Sequence, residues 1–405
     1  MASQSLLISV ETLTDAPVWE RRTEIVERKG RGHPDTICDA LSEELSVALC
    51  RYYHQQFGVI LHHNVDKLLL VGGAAQPRFG GGVITQPIEL FYGGRATLHH
   101  MGVQIPIEDL IHRTSQSWFR KNIPDLDPYH NIKAHCELRG GSSELITTFN
   151  LTNVQRSRMA NDTSCGVGYA PLSKLEQTVL SIEMHLNSKA YKHEHPEVGT
   201  DIKVMGTRLD NRIDLSIACA MIDRHLLGLE SYKMAMEQIK QAVTQITAPM
   251  GFDEVRVSVN HADNIDRGDV YLTVSGTSAE GGDDGETGRG NRANGLISPY
   301  RPMTMEAVAG KNPLTHVGKL YNVTARRIAS ALVEGIAQIH EAECFLVSRI
   351  GSPIDRPQLI DIRVRVDHKT AIKHIRPSID SVIELQLSEI NTLWSGFINH
   401  AISIY

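Results

Sequence analysis

The chain has 405 residues, 41% hydrophobic and 22% charged, enough apolar mass for two or three domain-sized cores. Its net charge of −6 excludes a generally basic, nucleic-acid-binding surface, and its six cysteines, spread without a C-x-x-C pair, exclude a structural zinc site or a disulfide framework. No basic, apolar leader opens the chain and no run of about 18 uncharged apolar residues occurs, so a cytoplasmic protein without membrane contact is expected.

Residues 26–53, VERKGRGHPDTICDALSEELSVALCRYY, put Ile37, Leu41, Leu45, Ala48 and Tyr52 on one helical face. Pro34 suits a first turn, so the spacing predicts a helix that starts near His33-Pro34-Asp35 and stops near Gly58. His33 and Asp35 then lie at a helix N-terminus, where the dipole and free N–H groups favour phosphate oxygens. Asp35 makes sense there with a divalent cation, because two anions need a bridge. A capping or surface role for His33 is the alternative.

Two strand-like runs, Val59 to His62 and Leu68 to Val71, lead into a glycine cluster, Gly72 to Gly82. Cys136 to Leu145 reads as a small-residue turn between two runs of strand character, either a nucleotide-contacting loop or a hairpin. Ser173 and Glu176 form a capping box ahead of an apolar stripe, Leu175, Val179, Ile182 and Leu186, which holds the preceding turn Asp162-Thr163-Ser164 in place. Asp201 and Lys203 alternate onto one face of a short strand, most simply as an exposed ion pair. Tyr232, Met236, Ile239, Val243 and Ile246 mark a helix that ends before Pro249.

The stretch from Ser275 to Lys319 is the most informative. Seven of the twenty residues from Gly276 to Gly295 are glycine, interleaved with Glu280, Asp283, Asp284, Glu286, Arg289 and Arg292. Glycines let backbone N–H groups approach a ligand closely, and Arg289, Arg292, Arg301, Lys311 and Lys319 supply the cations a polyphosphate demands. A strand on Val270, Leu272 and Val274 precedes the loop, and a helix from Tyr321 to Ile339 follows it. Ile360 to Val366 then reads as a strand and about 378–401 as a last helix. Strands and helices alternate in blocks without a strict βαβ rhythm, which points to an α+β fold. Approximate regions are 1–150, 151–270 and 271–405, and with no long linker between them the domains are expected to interlock.

VERKGRGHPDTICDALSE, DKLLLVGG, FGGGV, GRAT, ANDTSCGVGYAPLS, DIKVMGTR, YLTVSGTSAE, GDDGETGRGNRANGLISPYRPM and GKNPLTHVGKLYN together resemble the archaeal-type S-adenosylmethionine synthetases, in the same order, from about residue 20 to 325. The resemblance implies three similar, interlocked α/β-sandwich domains about a pseudo-threefold axis. It also implies a homodimer with active sites at the interface, ATP and L-methionine as substrates, and Mg²⁺ with K⁺ as activator. It places His33 beside the C5′–O bond of ATP and makes Asp35 a magnesium ligand. Asp162 and Asp201 become substrate-contacting acids and Lys203 a phosphate-reaching lysine. Asp283 and Arg289 match an acid and a phosphate-binding arginine, Lys311 a phosphate lysine, and Arg292, His316 and Lys319 stand in for other substrate contacts. Arg139, Gly140, Gly141, Ser142, Ser143 and Glu144 occupy the place of the nucleotide loop. The sequence departs from the family pattern at Arg31, at Gln76 and within Arg139 to Glu144.

Overall fold

The computed structural model describes residues 6–141, 158–368 and 370–405. Its main strands are β1 (Ile8–Thr12), β2 (Thr23–Lys29), β3 (His63–Val71), β4 (Ile88–Ala96), β5 (Ile132–Gly140), β6 (Cys165–Ala170) and β7 (Val198–Leu209). They continue as β8 (Arg212–Ile222), β9 (Glu254–Val259), β10 (Leu272–Thr273), β11 (Gly285–Glu286), β12 (Ile339–Val347) and β13 (Leu359–Val366). The helices are α1 (Pro34–Phe57), α2 (Ile107–Asn122), α3 (Lys174–Leu186), α4 (Lys189–Glu194), α5 (Leu229–Thr247), α6 (Val317–Gly335), α7 (Ile372–Glu389) and α8 (Leu393–Ile398).

The fold is mixed α+β, with three larger sheets. One has the order β11-β3-β4-β5, a second β9-β8-β7-β2 with β10 also on β8, and a third β1-β13-β12-β6. Parallel and antiparallel pairs mix in every sheet: β4 with β5, β8 with β9 and β1 with β13 run parallel. Each sheet buries one face beneath two long helices. Leu41, Leu45 and Phe119 of α1 and α2 cover the first, Val179 and Ile239 of α3 and α5 the second, and Ile328 and Ile379 of α6 and α7 the third. Strands from each of the three regions of the chain contribute to more than one sheet.

The local signals at α1 act as their chemistry requires. His33 is the N-cap, Pro34 occupies the first turn, and Gly58 ends the helix at φ 71°, a left-handed conformation that glycine adopts without strain. Ser173 and Glu176 form the full capping box of α3. One expectation fails in an instructive way: α1 is not one-sided. Ala48 and Tyr52 are only half-buried, whereas Leu49 and Tyr53 are buried, and the helix is buried around most of its circumference. The sheet covers its apolar face, and the glycine-rich stretch covers a second face that carries acids.

Other boundaries shift. Val59 to His62 is irregular, and the strand begins at His63. Only Leu272–Thr273 of the 270–274 run pairs as a strand. β5 continues through Arg139 and Gly140, so these two are strand and not turn, and Ser142, Ser143 and Glu144 fall outside the described residues. The helix read from Tyr321 to Ile339 runs from Val317 to Gly335, with Ile339 already in β12. The last helix begins at Ile372, ends at Glu389, and is followed by a 3₁₀ turn at Ile390–Thr392 and then α8.

Candidate active site

Asp35, Asp39 and Glu43 are spaced one turn apart on α1, and all three are buried. Each takes a backbone N–H from the glycine-rich stretch. Glu286 donates to Asp35 Oδ1 at 3.0 Å, Gly288 to Asp39 Oδ1 at 2.8 Å and Gly310 to Glu43 Oε2 at 3.0 Å. Anchors of this kind rise about 6 Å per step along the helix axis. The close approach needs glycine, since a Cβ on Gly285 would lie 2.4 Å from the Pro34 carbonyl oxygen.

Cations complete the attachment. Lys29 Nζ donates to Asp35 Oδ2 at 2.8 Å and to the Arg289 carbonyl at 2.9 Å. Arg292 donates to the carbonyls of Gly288 and Gly290, the latter at 2.9 Å. Three successive carbonyls, 288 to 290, are therefore held by two cations. The Arg289 side chain stays exposed, with no hydrogen-bond or ion-pair partner among the described residues.

His33 accepts the Asp35 N–H at Nδ1, 3.2 Å. That bond fixes the tautomer with the proton on Nε2. Burial lowers the His33 pKa, against the opposing pull of the Asp201 and Asp35 carboxylates, so the ring is held as a neutral donor. Burial would raise the Asp35 carboxyl, but the Lys29 ammonium and the Glu286 N–H outweigh it and keep the group below the usual carboxylate range. At Asp39 burial outweighs the Gly288 N–H and the Arg292 charge and pushes the carboxyl up to about 7.

Asp201 does not pair with Lys203. The register of β7 against β8 shifts between Val198 and Ile202, and the strand no longer holds the two side chains in simple alternation. Asp201 is buried and accepts from Ser278 N at 3.0 Å and Ser278 Oγ at 2.6 Å, while Lys203 lies 3.3 Å from Glu27. Gly32 packs into this corner, where a Cβ would sit 2.5 Å from the Asp201 nitrogen.

A second group gathers at the start of α6. His316 is its N-cap and accepts from Gly318 N at 3.2 Å, repeating the His33 arrangement. Burial, with Lys311 next, holds His316 well below the ordinary histidine value. Lys311 is buried, joined to Asp66 and, at 2.7 Å, to Glu306. Asp66 is held down to about 2, the pairing with Lys311 exceeding the upward effect of burial. Asn161 N donates to the Thr315 carbonyl at 3.2 Å, which brings the exposed Asp162 alongside. Lys319 is fully buried and bonds both Glu43 oxygens, at 2.7 and 2.6 Å.

The structure thus brings His33, Asp35, Asp201, Lys203 and Arg289 to one corner, and Lys311, His316 and Asp162 to another. Asp283 is exposed on the loop. Arg292 and Lys319 spend their charges on the protein itself. Arg139 and Gly140 sit exposed at the end of β5, Arg139 lying 3.7 Å from Glu137, and Gly141 follows them. Sequence reasoning missed Lys29, Asp39, Glu43, Asp66 and Glu306. The four-residue spacing from Asp35 could have revealed Asp39 and Glu43; lone charges such as Lys29 and Asp66 carry no local signal. Among the described residues no group of three or more His, Cys, Asp or Glu is arranged to hold a metal ion, and no helix is long and apolar enough to cross a membrane.

The family described as S-adenosylmethionine synthetase (AdoMet synthetase) matches residues 7–401. A probable S-adenosylmethionine synthase of Aquifex aeolicus is 46% identical over 399 residues, 98% of this chain and 99% of the relative. S-adenosylmethionine synthases of Hyperthermus butylicus, 46% identical over 407 residues, and of Pyrococcus furiosus, 42% over 398, cover the same shares. A match across nearly the whole chain, at such identity, settles the family: the chain belongs to the archaeal-type S-adenosylmethionine synthetases, the methionine adenosyltransferases.

Proposed function

We propose that the chain joins ATP and L-methionine in a single displacement. The methionine sulfur attacks ribose C5′, the C5′–O bond breaks, and the electron pair leaves with tripolyphosphate, which water then cleaves to phosphate and diphosphate. The observation that carries this reading is the tautomer of His33. Its Nε2–H has no partner among the described residues, and it stands beside ionised Asp35 and Lys29, whose ammonium also holds the carbonyl of the exposed Arg289. Nε2–H donates to the departing 5′ oxygen, while Arg289, Lys203 and Lys311 take up charge that grows on the phosphates. Asp162, Asp201 and Asp283 contact substrate. Lys311 is released for this by Glu306, its less buried partner. Each preorganised donor of this kind lowers a barrier by about 2.7–4 kcal/mol.

Asp35 fits a divalent cation. It is ionised, and each of its oxygens has one protein donor where a carboxylate oxygen accepts two. Magnesium commonly takes one or two carboxylates plus substrate phosphates, so a larger cluster is not needed. When bound, the ion neutralises phosphate charge. Potassium is expected as activator, without assigned ligands.

We further propose three interlocked domains about a pseudo-threefold axis, a reading supported by the recurrence of two helices on each of three sheets. A cytoplasmic homodimer that pairs through exposed sheet faces completes the picture. Leu69 and Val71 of β3, 45% and 38% exposed, support such a face. The test is direct: protein, ATP, methionine, Mg²⁺ and K⁺, with products identified by mass spectrometry. S-adenosylmethionine with equimolar phosphate and diphosphate is expected; phosphate release without S-adenosylmethionine would overturn the proposal.

A further inference from the structure

The bend that carries Asp201 is supported from behind. Where β7 slips against β8, its backbone turns away from the ladder and finds other partners. The Thr200 carbonyl accepts from Gly32 N at 2.9 Å and from Asn187 Nδ2 at 3.1 Å, the Ile202 carbonyl accepts from Gly30 N at 2.8 Å, and Asp201 N donates to the Gly276 carbonyl at 3.0 Å. The two carbonyls just upstream, Val198 and Gly199, both accept from one ammonium, Lys192 Nζ of α4, at 2.9 Å for Val198. Lys192 has no ion-pair partner within 4 Å among the described residues. An ammonium committed to two adjacent peptide planes fixes their orientation, and a bulge re-aims the side chain that follows it.

We propose that Lys192 is a positioning residue: by holding the Val198 and Gly199 carbonyls it sets the bulge that turns Asp201 toward Ser278 and the His33 corner. The inference rests on the substrate role given to Asp201 above. The link from Lys192 to the reaction runs through the backbone and then through the Asp201–Ser278 hydrogen bonds. A misplacement of about 1 Å at such a group costs on the order of 10²-fold in rate.

The test compares Lys192→Met, which removes the donors, Lys192→Arg, which keeps them, Asp201→Asn, and Lys192→Met combined with Asp201→Asn. Lys192→Met is expected to lower kcat/KM for methionine at least tenfold, and Lys192→Arg to restore most of the loss. In the Asp201→Asn background the same change should cost less than about twofold, because residues that act as a unit are not additive. Amide hydrogen exchange across residues 276–280 reads the position of Asp201 without any turnover. It should quicken in Lys192→Met and not in Lys192→Arg, which distinguishes a failure of this inference from a failure of the proposed reaction. Should Lys192→Met not fold, Lys192→Gln, which removes the charge and falls one bond short of the Lys192 ammonium position, takes its place in the same comparisons. Full additivity with Asp201→Asn, or unchanged exchange at 276–280, overturns the inference.

Discussion

Lys29 bridges Asp35 to the loop that carries Arg289: one ammonium spans the Asp35 carboxylate at 2.8 Å and the Arg289 carbonyl at 2.9 Å. The acid proposed to hold the metal and the arginine proposed to hold phosphate are thus set by a common group. Asp35→Asn keeps an acceptor for the Glu286 N–H but loses its charge. It is expected to raise the magnesium concentration for half-maximal activity at least tenfold while the melting temperature moves by only a few degrees. A magnesium titration alongside thermal unfolding checks both, and an unchanged titration removes Asp35 from the metal site.

The Arg289 side chain is exposed and has no hydrogen-bond or ion-pair partner among the described residues, so Arg289→Ala should leave stability intact. Because its contact strengthens as the leaving group gains charge, kcat should fall by about 10²–10³-fold with a much smaller change in KM for methionine. A change confined to methionine KM would place Arg289 at the other end of the substrate.

His33 combines a cap and a donor, and asparagine can imitate both. In His33→Asn the side-chain oxygen can accept from Asp35 N, as Nδ1 does, and the amide can donate in place of Nε2–H. Partial S-adenosylmethionine formation should survive. His33→Ala loses the cap, at about 1 kcal/mol, and most of the displacement step. Added tripolyphosphate should still be hydrolysed at a rate much nearer that of the parent, since no C5′–O bond breaks there. Equal losses in both half-reactions would show that His33 only holds the helix start.

Glu43 and Lys319 form a sealed pair. Glu43→Gln leaves the ammonium buried without compensation and is expected to cost about 3–5 kcal/mol, whereas Glu43→Leu with Lys319→Met should cost much less. Denaturant unfolding measures all three. Equal stability of Glu43→Gln and the parent would mean that Lys319 finds another anion.

Asp39 gives a pH dependence with a definite sign. Its folded value, pushed up to about 7, lies above the unfolded value of about 3.9, so the folded state holds the proton more tightly. The stability it contributes is present below about pH 4 and is lost as pH rises through 7. Asp39→Asn has no proton to lose and can still accept the Gly288 N–H. Its stability relative to the parent should therefore grow between pH 4 and 7 and level off above. Parallel stability curves for the two proteins would refute the buried, readily protonated state of Asp39.

The parts that were legible in the sequence are those governed by neighbours in the chain. His33-Pro34 and Gly58 mark where α1 begins and ends, and Ser173-x-x-Glu176 marks the start of α3, because caps and turn residues act within a few positions. The α+β class follows from the order of such segments. What could not be read depends on partners far away. Asp201 and Lys203 looked paired until the β7 bulge separated them, and Arg292 and Lys319 looked available until the fold supplied the Gly288 carbonyl and Glu43. Cations meant for a ligand and cations meant for the protein carry the same letters; only their surroundings tell them apart.

β1 is the first strand among the described residues, yet the strand it lies against is β13, Ile8 standing opposite Ile360. During synthesis β1 is made long before its neighbour. Closing so long a loop carries an entropic cost that grows only slowly with length, but search time is lost while an apolar edge stands open to other chains. A ribosome that stalls or terminates before residue 359 releases a chain whose third sheet cannot close, however sound the other two. Closure of the third sheet therefore waits until β13 has been made.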